Sequence, residues 1–255
     1  VTITTSGTLA GSTVGASYNQ TISATGGTNP LTWSLFLGVL PDGLSLNTGT
    51  GEISGTATTY GSYDFTIQAM DVNGSVATQD LTIIVSSAPV IQTSSLSQGT
   101  LTASYNQTLS VSGGTPSITW TIASGNLPDG LSFDANTGII SGIPTTFEST
   151  TFTIQVTDAN NVSDTQELSI VVNDVPFITT SSLSDGTEGA TYAQFVGVSG
   201  GTGPVVWSVE SGSLPNGLEL NISTGEISGI PTTVENPTFT IRVTDVNGVS
   251  VSLVI

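Results

Sequence analysis

The feature that most constrains the fold of this chain is an internal period of 87 residues. Tryptophan occurs three times in 255 residues, each time one period after the last, and a tyrosine and an aspartate keep the same step. Three unrelated residue types holding one period indicate three copies of one unit, each long enough to bury a core of its own. The residues that mark the period are Trp33, Trp120, Trp207, Tyr18, Tyr105, Tyr192, Asp71, Asp158 and Asp245.

Two segments of each unit alternate between apolar and polar residues, which is typical of strands with one buried face. In the second unit, residues 118–122 place Trp120 between two aliphatic side chains, and residues 152–156 begin with Phe152. Because an indole buries a large area, we predict that the tryptophan strand anchors the core. The predicted core aromatics are Trp33, Trp120, Trp207, Phe65, Phe152 and Phe239.

Turn residues separate these strands and indicate the fold class. The order Pro128-Asp129-Gly130, repeated in the other units with Asp or Asn in the middle, is that of a type I turn. About seven short strands per unit predict an all-β chain of three tandem Ig-like or cadherin-like antiparallel β-sandwiches. Pro89 and Pro176 follow the last strands of the first two units. We therefore predict domains at 1–88, 89–175 and 176–255, joined almost without linkers.

A longer string of residues in the second unit forms one pattern, made of residues 113–116, Trp120, 127–131, 137–138, 140–145 and 157–158. It resembles the bacterial "Putative Ig domain", which is related to dystroglycan-type cadherin-like repeats, and all three units match. The resemblance implies that the units are stalk or binding modules of large surface proteins and adhesins. It also implies that the family has no shared catalytic residues. The first unit departs from it at Ala57, where the others have Pro144 and Pro231.

The charge of the chain excludes several classes of partner. It carries 19 acidic residues against one basic residue, a formal net charge of -18. Phosphate backbones and anionic lipids would be repelled, so we expect no nucleic-acid partner and no binding to membrane surfaces. The apolar runs are too short to span a bilayer, so no membrane insertion is expected. A composition this acidic and free of cysteine fits an extracellular setting, and we expect the chain to be a mature product or an excerpt.

The absence of histidine, cysteine and lysine restricts catalysis to carboxylates and hydroxyls. Such chemistry needs paired acids, as in glycoside hydrolysis or an aspartyl dyad. Most acids here recur at turn positions, as Asp42 and Asp129 do, which indicates a scaffold role. We therefore predict that the chain is not an enzyme.

The periodic aspartates have the inward parity of their strands and allow two interpretations. They could be calcium ligands near the junctions, because calcium prefers several hard oxygens gathered together. Alternatively, each aspartate leaves the core at the strand end and caps backbone N–H groups of the next turn. The second interpretation is favoured because the first junction, residues 86–89, carries no carboxylate. The calcium candidates are Asp71, Asp158, Asp245, Asp174 and Glu148.

N-x-S/T sequons provide four candidate glycosylation sites, if the source cell has the machinery. Asn19 and Asn106 occupy equivalent positions and have the outward parity of their strand. The four candidates are Asn19, Asn106, Asn161 and Asn221.

The last strand of the third unit is incomplete when compared with the second. Ile255 corresponds to Leu168, after which the second unit continues with Ile170, Val171 and Val172. One explanation is that the natural chain continues into further repeats. The other is that a neighbouring subunit supplies the missing strand by strand addition, which would produce self-association and an open filament.

The organisation of the chain predicts a structural function. We expect an extracellular repeat that forms a semi-rigid rod in a surface fibre, filament, sheath or adhesin stalk. The alternative is an adhesin binding module that contacts glycans or protein through its loops. Its binding could be calcium-dependent or calcium-independent. Loop lengths that keep the 87-residue step favour the scaffold.

Overall fold

A computed structural model describes all of residues 1–255 and consists of strands and turns. No segment forms a helix of the length and apolarity needed to cross a bilayer. The three predicted units appear as three successive sets of short strands. The prediction of an all-β chain of Ig-like repeats is confirmed.

The strands are numbered in chain order, and residue ranges place each in its repeat. Repeat 1 contains β1 (Thr2–Ile3), β2 (Gly7–Thr8), β3 (Ser12–Thr13), β4 (Ser17–Thr21), β5 (Ala24–Thr25), β6 (Thr32–Gly38), β7 (Leu44–Leu46), β8 (Glu52–Thr56), β9 (Gly61–Met70) and β10 (Val76–Ser86). Repeat 2 contains β11 (Val90–Ile91), β12 (Gly99–Thr100), β13 (Tyr105–Thr108), β14 (Val111–Ser112), β15 (Thr119–Gly125), β16 (Leu131–Asp134), β17 (Ile139–Gly142), β18 (Glu148–Thr157) and β19 (Ser163–Asn173). Repeat 3 contains β20 (Phe177–Ile178), β21 (Tyr192–Phe195), β22 (Val198–Ser199), β23 (Val206–Ser211), β24 (Leu218–Leu220), β25 (Glu226–Gly229), β26 (Thr240–Thr244) and β27 (Ser250–Val254).

Repeat 2 shows the sheet topology most fully. One sheet has the order β12-β19-β18-β15, a second has the order β13-β17-β16, and β11 pairs with β14. The nine segments amount to about seven strands, because β11 and β12 are two parts of one interrupted strand and β13 and β14 of another. The first of these changes sheets, and its second half runs parallel to β19, with Gly99 opposite Val172. Each of the first two repeats therefore adds parallel pairing to the antiparallel sandwich that the turns predict.

Each repeat has a core of its own, in which side chains of both sheets meet. The clusters contain 13, 11 and 7 buried residues in chain order. The three tryptophans are at most 5% exposed and lie on the strand face that the apolar alternation indicates. A turn glycine makes room for each ring: a Cβ built on Gly51 would lie 2.7 Å from a ring atom of Trp33. The phenylalanines Phe65, Phe152 and Phe239 are buried in the same clusters.

Repeat 3 differs from the others along its last strand. Strand β27 has five residues, whereas β19 has 11, and it forms the edge of the sheet β23-β26-β27. Beside this edge lies a cavity of about 640 Å³. Apolar side chains that line it include Tyr192, Leu218, Ile227, Phe239 and Ile255.

Candidate functional site at the interfaces between repeats

Each periodic aspartate begins the loop between the last two strands of its repeat and holds that loop together. Asp158 accepts hydrogen bonds at Oδ1 from the backbone N–H groups of Asn160 (3.0 Å) and Val162 (2.9 Å). Its Oδ2 accepts from the N–H of Thr115 (2.9 Å), so one carboxylate joins two loops. The equivalent donors are the N–H groups of Thr28, Asn73 and Ser75 for Asp71, and of Thr202 and Val249 for Asp245.

The same carboxylate also binds a side chain of the preceding repeat. Thr13, at the end of β3, donates a hydrogen bond from its hydroxyl to Oδ2 of Asp158. The hydroxyl oxygens of Thr13 and Thr115 are 2.8 Å apart, and the side-chain amide of Asn160 donates to Thr13 at 3.0 Å. Thr13 is fully buried. We call Thr115, Asp158 and Asn160 the junction triad of repeat 2.

The second interface repeats the first, one period later. Thr100 donates to Asp245, lies 2.6 Å from the hydroxyl of Thr202, and accepts from the side-chain amide of Asn247 at 2.9 Å. Thr202 in turn donates to the carbonyl of Gly99 at 3.0 Å. The junction triad of repeat 3 is thus Thr202, Asp245 and Asn247. Two separate interfaces with the same contacts indicate that the arrangement belongs to the repeat itself.

A double-glycine turn lets the connecting segment pack against each triad. The N–H of Gly114 donates to the carbonyl of Ser87 at 2.8 Å, and Gly201 donates to Asp174 in the same way. Gly113 has φ 73, and a Cβ built there would lie 2.3 Å from the carbonyl oxygen of Ala88. Such a distance is far inside van der Waals contact, so only glycine permits this close approach.

Hydrogen bonding keeps the Asp158 carboxylate charged. Burial opposes the charge of Asp158, but the bonds from the Thr13 hydroxyl and the backbone N–H groups outweigh it and lower the pKa of this carboxyl. For Asp71, the N–H groups of Thr28 and Ser75 lower the pKa. An ionised carboxylate can only accept hydrogen bonds, which fits a site surrounded by hydroxyl, amide and backbone donors.

The five calcium candidates lie in separate places. Asp71, Asp158 and Asp245 cap their loops, Glu148 accepts from the Thr146 hydroxyl (2.7 Å), and Asp174 from the N–H of Val175 (2.8 Å). No three of the acidic residues come together as a group able to hold a metal ion. Calcium binding by these residues stays a prediction. A fall in melting temperature on adding EDTA would support calcium binding, and an unchanged melting temperature would exclude it.

The four candidate glycosylation asparagines are all exposed. Asn221 uses its side-chain oxygen to accept the N–H groups of Ser223 and Thr224, at 3.0 and 3.2 Å. The side-chain amide of Asn19 donates to the carboxylate of Glu52. Glycosylation of the four asparagines stays a prediction.

The buried threonines Thr13 and Thr100 were not among the residues that the sequence singled out. Thr13 and Thr100 keep the 87-residue step, as do Asn160 and Asn247, so the period contained a signal for them. In a chain so rich in threonine that signal is weak. Their role follows only from the contact between neighbouring repeats.

The repeats match a described family of domains. The family described as "Putative Ig domain" matches residues 1–86, 88–173 and 175–255. The "Serine-rich adhesin for platelets" of Staphylococcus aureus strain MRSA252 is 32% identical over 139 residues, which are 53% of this chain and 10% of that protein. The protein of the same name from strain MSSA476 is 32% identical over 139 residues, 6% of its length. The chain thus spans a tenth or less of these relatives.

Solved structures of tandem domains are similar over almost the whole chain. The I-band fragment I67–I69 from titin has a TM-score of 0.46 at 16% identity, and covers 99% of this chain and 95% of that one. Extracellular cadherin domains 3–6 of protocadherin gamma B2 have a TM-score of 0.33 at 12% identity, with 99% and 97% covered. Because the family pattern is matched three times and spans nearly every residue, the chain belongs to the "Putative Ig domain" family, with one copy in each repeat.

Proposed function

We propose that the chain is a non-catalytic, extracellular repeat segment that forms a semi-rigid rod in a surface fibre, filament, sheath or adhesin stalk. One observation carries this proposal: the same buried threonine–aspartate contact joins both pairs of neighbouring repeats. A flexible linker would let each domain rotate freely. A hydroxyl held by a carboxylate, an amide and a second hydroxyl fixes the orientation of the joint instead.

The relatives and the charge support the surface setting. The staphylococcal proteins that share this sequence pattern are named as adhesins for platelets. A net charge of -18 keeps an exposed rod soluble, since like charges on neighbouring molecules repel. Together these observations favour a structural or adhesive repeat over an enzyme.

Small-angle X-ray scattering tests the rod. We expect the wild-type chain to give one elongated shape with a well-defined maximum dimension. The double substitution T13V/T100V should broaden the distribution of interatomic distances, because it removes the hydroxyl from both joints without changing side-chain shape. The matched control is T187V, which alters the equivalent but exposed threonine of repeat 3. Equal flexibility of wild type and T13V/T100V would overturn the proposal.

A second candidate function is a binding module that contacts a protein or glycan ligand. It is favoured by an exposed apolar segment in repeat 1 that the other repeats lack. Residues 35–39 read Leu-Phe-Leu-Gly-Val, whereas residues 122–126 read Ile-Ala-Ser-Gly-Asn. A solvated sheet edge does not require such side chains, so they indicate contact with another molecule.

A further inference from the structure

Strand β6 in repeat 1 and the residue that follows it, Val39, carry large apolar side chains that point into solvent. Phe36 is 55% exposed, Leu37 61% and Val39 66%. At the same positions repeat 2 has alanine, serine and asparagine, and repeat 3 has glutamate and two serines. The fold therefore forms without apolar residues here. The equivalent positions are Ala123, Ser124 and Asn126 in repeat 2, and Glu210, Ser211 and Ser213 in repeat 3.

The position of β6 in the sheet leaves its edge free to pair from residue 34 onward, whereas the N–H of Trp33 donates to the carbonyl of Thr48 at 2.8 Å. It is the edge of the order β2-β10-β9-β6, and β9 is its single strand partner. A bulge between Leu35 and Leu37 leaves Phe36 without a partner residue on β9. An exposed edge presents unpaired backbone N–H and C=O groups, to which an extended peptide can add as a new strand.

Two carboxylates lie on the same sheet as the apolar segment: Asp64 is on β9, the neighbour of β6, and Asp80 is on β10, one strand further from the edge. A shallow groove of about 380 Å³ runs from Leu37 and Gly38 across the sheet to Asp64 and Asp80. Asp64 accepts a hydrogen bond from the Thr82 hydroxyl and Asp80 from the Thr66 hydroxyl, both at 2.6 Å. Each carboxylate thus keeps one oxygen for another donor, and both side chains are exposed.

Repeats 2 and 3 also lack this pair of aspartates. At the position equivalent to Asp64, both repeats have threonine, Thr151 and Thr238. At the position equivalent to Asp80, repeat 2 has Glu167 and repeat 3 has Val254. The apolar segment and the aspartate pair therefore occur together in one repeat of three. This coincidence favours one binding surface that uses both features.

We propose that β6 of repeat 1 is a docking strand for an extended segment of another protein, apolar at alternate positions and carrying Lys or Arg side chains that extend across Gly38 toward Asp64. The inference rests on the second candidate function, the binding module, and names its partner. A second copy of this chain is a poor occupant, because it has no lysine, a single arginine and a net charge of -18. A cationic apolar strand complements the groove in both charge and hydrophobicity.

The test uses the full chain and two short synthetic peptides, one of alternating valine and lysine and the other of alternating valine and glutamate. Titration followed by amide NMR should show saturable shifts at residues 34–39 with the lysine peptide. The glutamate peptide should bind weakly or not at all. The substitution F36A/L37S/V39N, which installs the side chains of repeat 2, should weaken binding of the lysine peptide by about tenfold or more.

Three outcomes would overturn the proposal: no shifts at β6, equal binding of both peptides, or unchanged binding by F36A/L37S/V39N. Concentration-dependent dimerisation that this variant abolishes would also overturn it, because the occupant would then be a second copy. An unchanged melting temperature shows that the variant is folded. Unchanged small-angle scattering of the variant separates failure of this docking strand from failure of the rod.

Discussion

The hydroxyl of Thr13 in repeat 1 donates a hydrogen bond to the carboxylate of Asp158 in repeat 2, although 145 residues separate them. Thr100 and Asp245 form the same pair, at the same separation, between repeats 2 and 3. Each aspartate therefore caps the loop of its own repeat and also binds the preceding repeat. The joint depends on a side chain that the fold of a single repeat already holds in place.

Removing the threonine hydroxyl should weaken the joint between repeats. T100V keeps the shape of the side chain but deprives the buried Asp245 carboxylate of a donor. We expect the free energy of unfolding to fall by about 1–3 kcal/mol. Denaturant unfolding followed by tryptophan fluorescence measures this. T187V is the control, since Thr187 is exposed and should tolerate the change; equal losses in both variants would contradict the role of the joint.

The Asp158 carboxyl should make the stability of the chain depend on pH in the acid range. Its pKa is lowered on folding, so the folded state binds the proton less tightly than the unfolded state does. The contribution is complete above the unfolded pKa of about 3.9 and is lost as the pH falls through the folded value. D158N should therefore melt below wild type at neutral pH, and the difference should shrink below about pH 4. A difference that stays constant from neutral to acid pH would contradict this.

Two equivalent tyrosines should respond in opposite ways to loss of the hydroxyl. The Tyr18 hydroxyl is buried without a hydrogen-bond partner, whereas the Tyr105 hydroxyl donates to the carbonyl of Ser97 at 2.9 Å. Y18F should leave stability unchanged or raise it, and Y105F should lower it by about 1 kcal/mol. Calorimetry of the two variants measures the difference. Burial raises the pKa of both tyrosines to about 12, so both should resist alkaline titration until the chain unfolds.

The double-glycine turn should be sensitive to an added methyl group only where the connecting segment packs on it. Gly26 and Gly113 have similar backbone angles, φ 69 and φ 73, so alanine strains both. A Cβ at Gly113 would meet the carbonyl of Ala88 at 2.3 Å, whereas the nearest atom to one at Gly26 is 3.9 Å away. G113A should therefore destabilise the chain more than G26A and change the scattering profile. Equal effects would mean that backbone strain alone is responsible.

The sequence by itself determined the architecture of each repeat. Apolar alternation on either side of Trp120 and along 152–156 is a local pattern, and it defines which strand face is buried. The 87-residue period gives the number of units for the same reason, since identical local patterns fold alike. The inward parity of Asp158 was also visible, but its local pattern allowed both a loop cap and a metal ligand.

Only the tertiary structure decided what joins the repeats. The partner of Asp158 is Thr13, and that contact depends on how two folded units stack, which no local pattern encodes. The first strand of repeat 2 is interrupted, and its second half pairs in parallel with β19, with Gly99 opposite Val172. This pairing also joins residues that are far apart in the chain. The edge position of β6, which exposes Phe36, follows from the order of strands in the sheet. Contacts of this kind depend on chain topology and packing, so they become visible only once the sheets are assembled.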